Sequence, residues 1–333
     1  MSDEPTKNRL TPVQRRMVES SVKIATEEAK QITYQHTVLC QTCLPYRDPG
    51  AAIRVWERHQ GQVSLSLEAG RVAHPESERF VELGLPFGTK ARLILHYLNA
   101  EAIKTSSPII EVANSLTAFV QRLQGREPTG PEIRKFKEQL SRLAAATIRL
   151  AVFQEQRAFQ VNSQIVSAFD LWFPKDANQR VLWPSTVQLS NEYFGSLITH
   201  AVPLAERAIA SLAHSAMALD VYCWLVQRLH RVKGGQFIPW TALHQQFGQG
   251  YQQIRQFRAA FLKVLKLVKL VYPAARVKAN REGLLLGNSP PPIQKRLILI
   301  PPPGSIPKKL VQAARGRVGK KASFFNNSHR PAL

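Results

Sequence analysis

The sequence predicts a mainly helical α+β chain in which one unit of helices plus a β-hairpin is used twice. Three observations predict it. Ile133-Arg134-Lys135-Phe136-Lys137 returns as Ile254-Arg255-Gln256-Phe257-Arg258, 121 residues later, which is a domain-sized spacing. Similar elements surround each copy, read from apolar periodicity and turn residues. A length of 333 residues is enough for two domains with a core each.

The first unit opens at Gly84-Leu85-Pro86-Phe87-Gly88. A helix from Thr89 to about Lys104 follows, apolar at Leu93, Ile94, Tyr97, Leu98 and Ala102. Pro108–Val112 is a short extended piece. A second helix starts at Asn114 or Ser115 and ends near Leu123. After the breaker Gly125–Gly130, Pro131 opens a third helix, apolar at Ile133, Phe136, Leu140 and Leu143. Two β-rich runs, Thr147–Gln154 and Phe159–Phe169, complete the unit.

Trp183-Pro184 marks a boundary, and the order then repeats. Ala216–Arg231 is a helix with Leu219, Tyr222, Cys223, Leu225 and Val226 inward. Phe237-Ile238-Pro239 is extended, Trp240–Phe247 is a short helix, and Tyr251–Lys269 is a long one. Arg276–Ala279 and Leu284–Leu286 flank the turn Asn280–Gly283 as a hairpin. This order is that of a winged helix, a helix-turn-helix with an appended β-wing. Two tandem winged-helix domains are therefore expected, at 76–185 and 186–292, the second being the main DNA reader. An N-terminal extension (1–75) precedes them, with a polar helix from Thr11-Pro12 to about Ile32 read as a docking arm. It also holds a hairpin of Ile53–Arg58 and Val63–Leu67 around Gln60-Gly61. A basic, Pro- and Gly-rich tail (293–333), partly disordered, follows.

The formal net charge is +22 at a pI of about 10.4. From Val221 to Leu333 there are 20 Lys plus Arg and one acid, Glu282, so the excess sits in the last third. Such a bias points to a polyanion, most often nucleic acid and sometimes an acidic membrane surface, and double-stranded DNA is the expected partner. Three cysteines, Cys40, Cys43 and Cys223, are no disulfide framework and fit a reducing cytoplasm. Neither a signal peptide nor a membrane span is expected.

At 100° per residue, Ile254, Phe257, Phe261, Val264, Leu265 and Val268 share one stripe of the long helix. The opposite stripe is Gln252, Arg255, Gln256, Ala259, Lys263 and Lys266, with no acid. Gln pairs suit adenine edges and Arg suits guanine in the major groove, and Ala259 lets the helix sit deep. Lys263, Lys266 and Lys269 are read as phosphate contacts. Lys278 and Arg281 lie at the edge and tip of the second hairpin. In the first copy the outward stripe is Pro131, Arg134, Lys135, Glu138 and Arg142. Glu138 leaves that helix two readings, weak DNA contact or protein contact.

No catalytic constellation is found, and no metal or cofactor is expected. Gly84–Lys90 has three residues between its glycines where a phosphate-binding loop needs four. His36 with Cys40 and Cys43 lacks a fourth ligand at convincing spacing.

The chain resembles the plasmid-encoded RepA replication-initiator family. The stretches that carry the resemblance are His36–Thr42, Leu44–Arg47, Gly84–Leu93, Leu182-Trp183, Val202–Leu204, Ala218–Tyr222 with Trp224-Leu225, Ile238–Trp240 with Phe247-Gly248, and Tyr272-Pro273. Cys43 and Cys223 depart from the pattern. The resemblance implies an initiator that binds repeated origin sequences (iterons), opens adjacent A·T-rich duplex, and recruits the host's replication initiator and replicative helicase. It implies two winged-helix domains, the C-terminal one dominating DNA reading and the N-terminal one also serving self-dimerisation. The alternative is a winged-helix transcriptional repressor acting at a promoter palindrome. A nucleic-acid enzyme is the third reading and is not expected.

Overall fold

The computed structural model describes residues 12–26, 31–74, 79–111, 120–121, 126–154, 157–169 and 186–293. Helix α1 (Pro12–Thr26) leads into β1 (Ile32–His36), α2 (Thr37–Gln41), β2 (Val55–Gln60), β3 (Val63–Glu68), β4 (Arg71–His74) and β5 (Arg79–Glu82). Next come α3 (Gly88–Thr105), β6 (Ile109–Glu111), α4 (Gly130–Ala145), β7 (Thr147–Gln154), β8 (Arg157–Gln164), β9 (Val166–Phe169) and β10 (Thr186–Leu189). The chain continues through α5 (Asn191–His200), β11 (Ala201–Ala205), α6 (Glu206–Leu212) and α7 (Ala216–Leu229). It ends in β12 (Gln236–Pro239), α8 (Trp240–Phe247), α9 (Ile254–Val271), β13 (Val277–Ala279) and β14 (Gly283–Leu286). The second helix expected in the first unit, the Trp183-Pro184 boundary and the basic tail lie largely or wholly outside the described residues.

Helix α7 is apolar on nearly every side and is buried from Met217 to Gln227, as such a helix must be. It packs against α2, α3, α6 and α9, and one continuous apolar core runs from Met17 to Ile293 around it. The residues of both repeats thus share a single interior.

Strand pairing departs from the local reading. The N-terminal hairpin turns at Gly61, which takes the left-handed φ of +58°. It is no separate extension, because β3 pairs along its length with β7 and gives a four-stranded sheet, β2-β3-β7-β8. Strand β6 pairs with β10, not with the β7–β8 hairpin, in the sheet β6-β10-β9. Ile32 belongs to β1, which runs antiparallel to β11 from Ile32↔Ala205 to His36↔Ala201. Helix α1 is not a free arm: Met17 is 1% exposed, and the helix lies on α6 and α9.

Asp220 is a charge in the apolar heart of α7. Its partner is Arg92 of α3, whose Nε and Nη2 donate to the two carboxylate oxygens at 2.7 Å each. The remaining guanidinium hydrogens go to backbone carbonyls. Nη1 donates to Gly88 at 2.8 Å and Pro45 at 3.2 Å, and Nη2 to Leu44 at 2.8 Å. All five donors of the fork are satisfied. Gly88 adopts a φ of +73° at the start of α3 and donates to the Pro45 carbonyl, so Gly84–Lys90 shapes the α3 entry that delivers Arg92.

His36 sits where β1 meets α2. Its Nδ1 accepts from the Val38 amide at 3.2 Å, which leaves Nε2–H to donate to Ser196 Oγ at 2.9 Å. Burial, and then the neighbouring His200, push its pKa from 6.5 down to about 3. The neutral ring is the folded form.

Asp220→Ala leaves Arg92 buried without a counter-charge. Urea unfolding at neutral pH should show a loss of about 3–5 kcal/mol. A loss below about 1 kcal/mol is the size of an exposed pair and would contradict the buried network. His36 sets a pH dependence. Below pH 6.5 the unfolded chain takes up a proton that the folded chain refuses until about pH 3. Stability is therefore whole above that window and falls on acidification, by about 1.4 kcal/mol per pH unit. Urea midpoints between pH 6.5 and 4.5, above the carboxylate range, should show this slope, and His36→Gln should flatten it.

Candidate nucleic-acid interface

Helix α9 is fixed by its aromatic inner face. Phe257 and Phe261 are fully buried, with ring centroids 5.4 Å apart. Phe261 meets Trp240 at 5.9 Å and Phe247 at 5.7 Å, and Phe257 meets His244 at 5.2 Å. Edge-to-face and tilted packing of this kind holds α8 and α9 as one body. Leu265 and Val268 continue the buried stripe, while Val264 is half-buried. Ile254 was expected inward but is 41% exposed. The helix begins at Ile254 rather than Tyr251, so this residue stands at its open first turn.

The outward stripe carries Arg255, Gln256, Ala259, Lys263 and Lys266, all exposed. Gln252 is exposed too, but in the turn ahead of the helix. No acid occurs in α9, and among the described residues no carboxylate pairs with Arg255, Lys263 or Lys266. The N-cap residue Gln253 makes no side-chain cap, so the positive end of the helix dipole is left open beside Arg255.

The α8–α9 turn is anchored from the N-terminal segment. Gln249 Oε1 accepts from the Tyr46 amide at 2.7 Å, its Nε2 donates to the Leu44 carbonyl at 3.3 Å, and Gln246 Nε2 donates to the Gln41 carbonyl at 2.7 Å. Leu44 thus receives hydrogen bonds from both Gln249 and the buried Arg92.

Strands β12, β14 and β13 form an antiparallel sheet in that order beside α9. Lys278 is exposed on β13, across from Leu285. Arg281 is exposed at the hairpin tip, where Asn280 Oδ1 accepts from the amides of Glu282 at 2.9 Å and Gly283 at 2.8 Å. The tip is tied down. Trp240 donates through Nε1 to the Asn280 carbonyl at 3.2 Å and through its amide to the Glu282 carbonyl at 3.0 Å. Arg258 donates to the carbonyls of Asn280 and Arg281 at 3.2 and 3.3 Å, with its guanidinium 5.4 Å above the Trp240 ring. An open cleft of about 330 Å³ separates helix and tip, lined by Pro239, Trp240, Thr241, Ile254, Arg255, Arg258, Arg281 and Glu282.

The first copy is built differently. Arg134 and Lys135 of α4 are exposed, but Arg142 is not an outward cation. Its side chain is 14% exposed and donates to the Leu85 carbonyl, to Asp48 at 3.2 Å and to Glu138 at 2.6 Å. Leu85 and Asp48, contributed by other segments, draw it inward. Glu138 is engaged in the same cluster. Arg126 pairs with Glu132, which with the Thr129 amide holds that carboxyl down at a pKa of about 2. On α4, Arg142 is matched by Glu138 and Asp48 while Arg134 and Lys135 stay exposed; α9 carries no acid at all.

Residues 85–241 match the family model described as plasmid encoded RepA protein. That segment is similar to the plasmid-encoded RepA family. The matched segment contains Arg92, Asp220 and all of α7, and stops at the second residue of α8, ahead of α9. No curated protein matches the chain. Two crystal structures of RctB domains 2 and 3 are similar in shape. The selenomethionine form is 8% identical, with a TM-score of 0.48, covering 75% of this chain and 97% of that one. The other is 9% identical, with a TM-score of 0.47, covering 76% and 97%. No helix among the described residues is long and apolar enough to cross a membrane.

Residue-by-residue reading missed Arg258, Trp240, Asn280 and Gln249. One signal was present: the fifth position of the repeated motif is basic in both copies, as Lys137 and Arg258. Gly283 is a structural requirement of the tip, because a Cβ there would overlap the Ile238 carbonyl and crowd the Phe237 ring. Gly283→Ala should lower stability by about 1–3 kcal/mol through this overpacking. Its unfolding midpoint against the parent chain tests the register of β12 with β14.

Proposed function

We propose that this chain is a plasmid replication initiator that reads repeated duplex sequences at its origin. In this reading α7, β12, α8, α9 and the β13–β14 hairpin are a winged helix. Helix α9 enters the major groove and the hairpin lies along the flanking backbone. The α3, β6, α4, β7–β8 region is a modified first copy whose Arg142–Glu138–Asp48 cluster suits protein contact, self-association included. The chain acts without catalysis of its own, opening neighbouring A·T-rich DNA and engaging the host's initiator and helicase. The RepA family match supports the initiator reading.

The observation that carries DNA reading is the unmatched face of α9. Gln256 offers an amide for adenine, Arg255 a fork for guanine, and Lys263 and Lys266 charge for phosphates, with no carboxylate among them. Footprinting on the DNA beside the coding sequence tests it. Protection of several tandem repeats, with distortion of an adjacent A·T-rich stretch, is expected. Protection of one palindrome would instead mark a repressor. Arg255→Ala should weaken binding to the protected site by about 1–3 kcal/mol and relax the preferred base at one position. Titrations against the site and its single-base variants measure both, and undiminished affinity for the site would remove Arg255 from the reading face.

A further inference from the structure

Arg258 lies outside the exposed stripe of α9 and takes no place among the base-reading candidates. It is half-buried, one turn beyond Arg255, and its guanidinium is turned to the hairpin. The carbonyls it reaches belong to Asn280 and Arg281, the residues that form the tip. Trp240 holds the same turn at Asn280 and Glu282, and Arg258 lies over the Trp240 ring. Arg255 from the helix and Arg281 from the tip line one cleft, and Arg258 and Trp240 line it too. A hairpin held only by its sheet can flex about its strands, whereas one bonded to the reading helix cannot change its distance from that helix without breaking those bonds.

We propose that Arg258 is a positioning residue that sets the spacing between the base-reading start of α9 and the wing tip, so that Arg281 meets the DNA backbone in register with the bases read by Arg255. The proposal rests on the DNA-reading function above. Its ligand chemistry is one phosphodiester of the flanking strand, taken at the cleft by Arg281. Arg258 acts through that residue and makes no base contact.

The test uses the full chain and a duplex selected by the parent protein from randomised DNA. Arg258→Met keeps an unbranched side chain and removes the guanidinium with its donors. Its affinity should fall about tenfold, the size of one lost charge-assisted hydrogen bond. Hydroxyl-radical protection should disappear from the flanking backbone and persist across the bases under α9. Arg281→Ala should give the same pattern, and the double variant should bind no worse than either single one, because both remove one contact. Trp240→Phe removes the indole donor to Asn280, keeps an aromatic ring against Phe261 and under Arg258, and should shift the same flanking protection, which keeps the idea testable if Arg258→Met does not fold. Full flanking protection in Arg258→Met, or losses that multiply in the double variant, would overturn the proposal. A parent protein that selects no duplex would instead overturn the DNA-reading function on which it stands.

Discussion

The Arg92–Asp220 pair is the constraint on which the rest of the architecture depends. A guanidinium and a carboxylate taken out of water are costly unless every hydrogen-bonding site is met. Here the carboxylate receives two donors, and the guanidinium spends its other hydrogens on Leu44, Pro45 and Gly88. Three stretches far apart in sequence are therefore fixed at one point: the loop after α2, the entry to α3, and the middle of α7. These are also three of the stretches that carry the family resemblance. The constraint reaches the surface, because Leu44 and Tyr46 hold Gln249 in the turn that aims α9.

The two copies of the repeated motif keep the same aromatic anchor and have diverged in electrostatics. Phe136 and Phe257 are both fully buried. Around the first, Glu132, Glu138 and Asp48 neutralise Arg126 and Arg142. Around the second, the helix carries no acid, and Arg255, Lys263 and Lys266 are exposed. An unpaired charge at the surface costs little in stability and attracts a polyanion over a distance set by ionic strength. Pairing a cation with a carboxylate weakens that attraction.

What the sequence revealed follows the range of each signal. Helix α8 was legible to its last residue, because Pro239, the apolar spacing and Gly248 all act locally. The outward stripe of α9 was legible because burial in a helix repeats every few residues, and α9 has a clean period. Ile254 was misjudged because its fate depends on where the helix begins, and periodicity does not locate that. Arg142 was misjudged because the groups that draw it inward, Asp48 and Leu85, come from other segments. The pairing of β3 with β7, of β6 with β10 and of β1 with β11 had no local signature, since strand partners are chosen by tertiary packing. Nothing local marks Arg92 and Asp220 as a buried pair for the same reason: each finds its partner only in the folded chain.

Strand β1 has a consequence for how the protein comes into being. Its partner β11 is made far later in synthesis, and so is Asp220. Until those residues leave the ribosome, β1 presents an unpaired edge, Met17 and Tyr34 lack most of their cover, and Arg92 has no counter-ion. Domains emerging from the ribosome ordinarily close one after another. This chain instead holds its leading half open until the trailing half arrives, and a nascent fragment stopped between them is a substrate for chaperones and proteases rather than a working piece.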